Sequence, residues 1–304
     1  MTPRQLVLFV GNAAWWGSGY VFVAVALGGF TPGELVLART SLAALALYAL
    51  IRARGATARR ALAQLRHRPG AVIALALTNN AAPYLLVAFG AHHAPAGLVG
   101  VLMASTPLWT AVLALRLDRA ETVNRRQGLG LLIGLSGVAL VTGVGAVHSV
   151  LEAAASAAVL IAAGCYALAA FVVKRGFTDV PTLSRAFLTA ALSTLLLLPV
   201  GLADGAPHLA DLHAWVALAV LAIGGSALSQ VFYYRLIDEV GARRAAMTAY
   251  LAPAFSLLLG WLALNEPIAA GTVAGLGLIA VGTALASTRG RAGSAASRRR
   301  PVSI

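Results

Sequence analysis

A single arginine, Arg39, lies near the middle of the apolar stretch "TPGELVLARTSLAALALYALIR" (31–52), which is long enough to cross a bilayer as a helix. A cation at that depth needs a partner, water or a ligand. An ionisable residue inside a membrane segment therefore points to function. Guanidinium offers a planar fork of N–H donors to a carboxylate or phosphate. The alternative is a structural cation that holds backbone carbonyls freed by Pro83 or Pro107. Other residues with usable chemistry fall at a similar depth. In the first half these are Trp15, Trp16, Gly17, Ser18, Asn79, Asn80, Ser105, Thr106 and Pro107. In the second half the layer holds Ala162, Gly164, Leu192, Ser193, Gly224, Gly225, Ser226 and Pro253. Asn80, Pro83 and Tyr84, and again Gln230, Tyr233 and Tyr234, recur at i, i+3, i+4, so each set shares one helix face. Asn12, Trp16 and Gly19 repeat that pattern. Amide groups beside aromatic hydroxyls suit a polar cavity. Trp and Tyr also form interfacial belts, but Trp16 lies too deep in its run for one.

The elements that must carry these residues follow from composition. Sixty percent hydrophobic residues, 11% charged and a mean hydropathy of +0.84 describe an integral membrane protein. Ten apolar runs occur near 5–27, 31–52, 70–91, 95–116, 127–146, 149–173, 180–201, 213–236, 243–263 and 268–287. They lack the period-2 alternation of a membrane barrel, so the expected fold is all-α with ten transmembrane helices. The net charge of +13 is not a nucleic-acid footprint, because the basic residues sit in short gaps between runs with no aromatic interleaving. Of the 23 Lys and Arg residues, 22 fall on one side of the ten spans, and the remaining one is Arg39. Positive charge marks the cytoplasmic side. Both termini are therefore expected in the cytoplasm, and the chain in a bacterial inner membrane. A cleaved signal peptide competes, since Arg4 precedes an apolar run ending in "AVALGG". That run is longer than a usual signal core and contains Asn12, Trp15 and Trp16.

The chain also repeats itself. "GLLIGLSGVALVTG" (130–143) aligns with "GLGLIAVGTALAST" (275–288), which places Gly130 on Gly275, Gly137 on Gly282 and Glu121 on Glu266. "MASTPLWTAVLAL" aligns with "AYLAPAFSLLLGW", which places Pro107 on Pro253. Five helices per repeat is an odd number, so consecutive repeats enter the membrane from opposite sides, as in inverted-repeat transporters with a midplane site. The expected organisation is 1–146 and 147–288 as two inverted five-helix repeats, then 289–304 as a basic disordered cytoplasmic tail drawn to anionic lipid. Arg39 maps onto Leu188 when Pro32 is matched to Pro181, so the charge belongs to one half only.

"WWGSGYVFV", "PGELVLAR", the proline-to-glutamate spacings 107–121 and 253–266, and the glycine-rich fifth and tenth runs together resemble the drug/metabolite transporter superfamily, and within it the EamA-type exporters. "RLDRAET" departs from the Gly-Glu common in that family and puts the local turn in question. The resemblance implies a secondary transporter that exports small organic metabolites, amino acids foremost, by alternating access. The alternative is export of cationic or lipophilic drugs, held by the ring faces of Trp15, Trp16 and Tyr84.

Enzyme chemistry has no visible residues, because "WGSGY" is not Gly-x-Ser-x-Gly and there is no His-Glu-x-x-His. A structural membrane protein would not explain the duplication with its one-sided polar layer. No cofactor is expected: "GLGLLIG" lacks the strand and acidic partner of a dinucleotide fingerprint. No metal is expected either, as His92 and His93 are adjacent and Cys165 is alone. The expected partners are a small-molecule substrate and the lipid bilayer, with no nucleic acid, and the chain is expected as a monomer or weak dimer. The candidate substrate residues are Trp15, Trp16, Ser18, Arg39, Asn79, Asn80, Tyr84, Trp109, Tyr166, Gln230 and Tyr233, with Glu34 and Glu152 as possible proton sites. Their cavity is expected between the repeats, lined by helices 1, 3, 6 and 8.

Overall fold

The structure, a computed structural model, describes residues 2–54, 66–117, 125–143, 149–177, 180–203, 211–240 and 248–286. Ten helical spans follow one another among them. They are α1 (Pro3–Ala26), α2 (Pro32–Ala53), α3 (Pro69–His93), α4 in two pieces (Ala96–Met103 and Thr106–Leu117) and α5 (Arg125–Gly143). The second five are α6 (Val150–Gly176), α7 (Thr182–Ala203), α8 (from Leu212–Ala219 through Ser229–Val240), α9 (Thr248–Leu264) and α10 (Ala270–Ala286). No strand occurs among the described residues. Helices α1, α2, α3, α6 and α7 are each long and apolar enough to cross a membrane, and the other five contain shorter apolar helices. Leu132, Leu195, Leu202 and Leu262 are exposed on the outside, where hydrocarbon rather than water suits them. The tail 289–304, Glu121 and the side chain of Tyr234 lie outside the described residues.

Local sequence sets the helix starts. Thr2 and Thr31 each precede a proline and close a capping box, with Gln5 and Glu34 respectively, which satisfies backbone donors that a helix start leaves open. Packing then follows the duplication. Helix α5 packs on α10, α2 on α7 and α4 on α9, while α1 packs on α8 and α9 as α6 packs on α3 and α4. Exchanging the first five helices for the second five maps this pattern onto itself, as a pseudo-two-fold axis in the membrane plane requires. Where α5 meets α10 the backbones touch. A Cβ at Gly282 would lie 2.3 Å from the Gly134 nitrogen, so only glycine fits.

Cross-contacts define the two ends. At one end Arg4 pairs with Glu239 and Arg68 donates to the Gly176 carbonyl, which joins the start of α1 to the end of α8 and the start of α3 to the end of α6. This end is called the basic face here, for Arg4, Arg52, Arg54, Arg68, Lys174 and Arg175. At the opposite face Phe30 packs edge-on against Trp215, with ring centroids 4.9 Å apart. There Glu266, just beyond α9, accepts from the Ala96 and Gly97 N–H groups at 2.6 and 2.9 Å and so caps α4. Asn265 adopts φ 53°, a left-handed conformation that Asn tolerates, and this turns Glu266 back toward α4.

Three spans expected as continuous runs are interrupted. Leu77–Ala81 in α3 and Val220–Leu228 in α8 are π-helical, and these two helices exchange under the pseudo-two-fold. Pro83 lacks the N–H that a regular α3 would need, and Gly224 and Gly225 loosen α8. Helix α4 breaks at Ala104 and Ser105. Pro107 cannot bond the Met103 carbonyl, so the Thr106 hydroxyl does, at 2.7 Å.

Candidate functional site

Helix α2 brings Arg39 inward between the π segment of α8 and the turn of α3 that follows its own π segment. Its Nε donates to the Ser226 hydroxyl at 2.9 Å, and its guanidinium carbon lies 3.9 Å from the centre of the Tyr84 ring. Ser226 belongs to the π segment of α8, and Tyr84 follows that of α3 by three residues. The Tyr84 hydroxyl donates to Ser226 at 3.4 Å and closes the triangle. Tyr20 of α1 and Tyr166 of α6 lie close enough to interact electrostatically with Arg39. Three helices, α2, α3 and α8, thus meet at the cation, with the Tyr20 and Tyr166 side chains of α1 and α6 nearby. Among the described residues Arg39 has no carboxylate partner and no bond to a freed backbone carbonyl. The carbonyl-holding role considered from the sequence is therefore not what Arg39 does in this conformation, and for Met103 the Thr106 hydroxyl takes that role.

The remaining candidates divide by place. Trp15 lies in the α1–α8 seam, where a Cβ at Gly224 would fall 2.2 Å from its ring. Trp16 stacks on Tyr233 at 4.9 Å and 46°. Gln230, half-buried, follows Ser226 by one turn and has an enclosed Oε1 without a hydrogen-bond partner among the described residues. Asn79 donates to Asn80 at 2.8 Å inside the π segment of α3. Ser18 bonds its own helix at the Trp15 carbonyl. Trp109 covers Gly164 of α6 and remains 37% exposed. Gly164 and Tyr166 are two residues apart and so about 200° apart around α6, which puts Trp109 on the other side of that helix from the arginine cluster. Glu34 is a capping residue at the opposite face, 9% exposed, with Oε2 accepting from Thr31 and Oε1 without a hydrogen-bond partner. Glu152 sits in the first turn of α6, where its N–H donates to Ser149. The two carboxylates are thus at helix starts, away from Arg39.

Sequence reasoning placed Ser226 in the midplane layer but not in the site, and passed over Tyr20. Their signal was spacing: Ser226 is i−4 from Gln230, and Tyr20 is i+4 from Trp16. Two surface hollows, of about 360 and 420 Å³, lie along α2 against α8 and α7. They are lined almost wholly by Ala, Leu and other apolar side chains and contain none of the candidate residues, so they are lipid-side grooves rather than the site.

A duplicated helical bundle of this length, apolar outside and polar at a midplane cation, is the architecture of a multi-pass membrane carrier. The EamA-like transporter family matches twice, over residues 4–143 and 154–288. Among curated relatives, the uncharacterized transporter YyaM of Bacillus subtilis (strain 168) is 25% identical over 288 residues, covering 92% of each chain. The uncharacterized transporter YdfC of the same organism is 25% identical over 256 residues, covering 83% of this chain and 80% of its own. A crystal structure of a protein 19% identical in sequence superposes with a TM-score of 0.65, over 94% of this chain and 98% of the other, which is likeness of fold. The chain belongs to the EamA-like transporter family.

Proposed function

We propose that this transporter exports small organic metabolites bearing a carboxylate, amino acids foremost, across a bacterial inner membrane by alternating access, with its basic face and both termini in the cytoplasm. One observation carries the reading: the Arg39 guanidinium is fixed through Nε and one ring face, while its Nη groups have no partner among the described residues. Two N–H groups on one edge of a fixed guanidinium suit a carboxylate. The orientation rests on the one-sided distribution of Lys and Arg.

The test is Arg39 itself, in purified protein reconstituted into liposomes. Lysine keeps the charge and loses the fork, so Arg39→Lys should transport carboxylates weakly while remaining folded. Arg39→Met should abolish their transport. Full transport of carboxylates by a stable Arg39→Met protein would exclude the anion-binding role. Continued transport of amphiphilic cations by that variant would favour the drug-export reading, in which the rings do the binding.

A further inference from the structure

Asn12 is 0% exposed, and neither its Oδ1 nor its Nδ2 has a hydrogen-bond partner among the described residues. A primary amide carries two donors and an acceptor oxygen, and it is costly to enclose without partners. Its direction is fixed by its neighbours on α1. At 100° per residue Asn12 lies about 40° from Trp16 and about 60° from Trp15. Trp16 meets Tyr233 and Trp15 meets Gly224, both on α8, so Asn12 points into the α1–α8 seam.

That seam is lined on α8 by polar side chains. Ser226, Gln230 and Tyr233, at i, i+4 and i+7, form a polar strip on α8 that leads from Arg39 toward the end where Arg4 meets Glu239. The helices run antiparallel, so Gly19 lies about level with Gln230, and a Cβ added at Gly19 would meet nothing within 4 Å. Beyond this room stands the Trp16–Tyr233 pair, and beyond the pair lies Asn12.

Resting on the amino-acid reading, we propose that Asn12 is a further substrate ligand in this seam: when the Trp16–Tyr233 pair parts, its amide oxygen and the two ring faces take the alkylammonium group of a substrate travelling between the basic face and Arg39. An amide oxygen beside aromatic faces is ammonium chemistry.

The experiment compares the wild-type chain with Asn12→Leu, nearly isosteric and apolar, in liposome counterflow of a pooled radiolabelled α-amino-acid mixture, with thermal unfolding measured on the same preparations. An amide with no role beyond filling space would be replaced with equal or higher Tm and unchanged transport. The proposal expects Tm equal or higher and transport lowered at least tenfold. It also expects transport of the des-amino acids that wild type carries to fall less than threefold, since they have no ammonium. Unchanged amino-acid counterflow in Asn12→Leu, or an equal loss for the des-amino acids, overturns the assignment. Should the leucine variant not fold, Asn12→Ala is read by the same criteria. A wild-type chain that moves none of the pool overturns the amino-acid reading and this ligand with it, whereas a competent wild type beside an equally competent variant overturns the ligand alone.

Discussion

At the opposite face, Val23, Phe30, Leu98, Leu102, Val159 and Leu218 belong to one buried cluster that joins α1, α4, α6 and α8 and extends to α2, α3 and α7. At the basic face the buried apolar residues fall into separate groups. Val72, Leu75, Phe177 and Leu188 join α3, α6 and α7, while Ala43, Leu47, Ala186 and Ala227 join α2, α7 and α8. Among the described residues, one end is joined through a shared core and the other through local pairings. The lower parts of α1 and α8 between those pairings carry Asn12, Gln230 and the Trp16–Tyr233 pair. Among the described residues the buried apolar packing is thus more continuous toward the opposite face than toward the basic face. A chain that alternates would have to break the shared core and build its counterpart at the basic face.

The largest stability effect in this comparison should come from Glu266, whose carboxylate fastens α9 to α4 at the opposite face. Glu266→Ala strands two backbone donors and should cost about 3 kcal/mol, while Glu266→Gln, which keeps one acceptor oxygen, should lose less. Thermal unfolding of the purified chain reads both, and equal Tm values for wild type and Glu266→Ala would dissolve the claim that this end is fastened by that carboxylate.

A middle effect separates the two kinds of packing. Leu102→Ala opens a void in the shared core and should cost about 2–3 kcal/mol, whereas Leu188→Ala, in a small group that can collapse, should cost about 1 kcal/mol. Equal losses would mean that the two ends are packed alike. The smallest effect belongs to the Arg4–Glu239 pair, which is solvent-facing at 3.3 Å. Arg4→Gln should shift stability by about 0.5 kcal/mol or less, and the shift should vanish at high salt. A larger, salt-independent loss would show that the basic face is clamped as firmly as its counterpart.

Much of the scaffold was written plainly in the chain. Runs of about twenty apolar residues gave the spans, and the depth of Arg39 made it the leading candidate for the site. The interruptions were harder to see. In "LTNNA" and "VLAIGGSAL" the sequence signals, Pro83 just beyond the first and Gly224 and Gly225 within the second, loosen a helix without selecting a π turn over an α turn, because that choice depends on what packs outside the helix. The break in α4 was more legible, since Ser105 and Thr106 stand directly before Pro107. Glu266 was noticed only as the end of a spacing motif, because its partners are 169 and 170 residues away and no local pattern reaches that far. Asn12 was read as one member of a polar face. That it would be enclosed without a partner depends on how α8 lies against α1.

The cap on α4 also sets an order of events on the ribosome. Helix α4 is synthesised and enters the membrane long before the carboxylate that completes its first turn exists. At cellular synthesis rates the 170 intervening residues take roughly ten to thirty seconds to appear. During that interval the N–H groups of Ala96 and Gly97 must be served by water or lipid headgroups at the membrane surface. The cap on α4 is therefore completed only when Glu266 has been made, and the same two hydrogen bonds then tie α9 to α4.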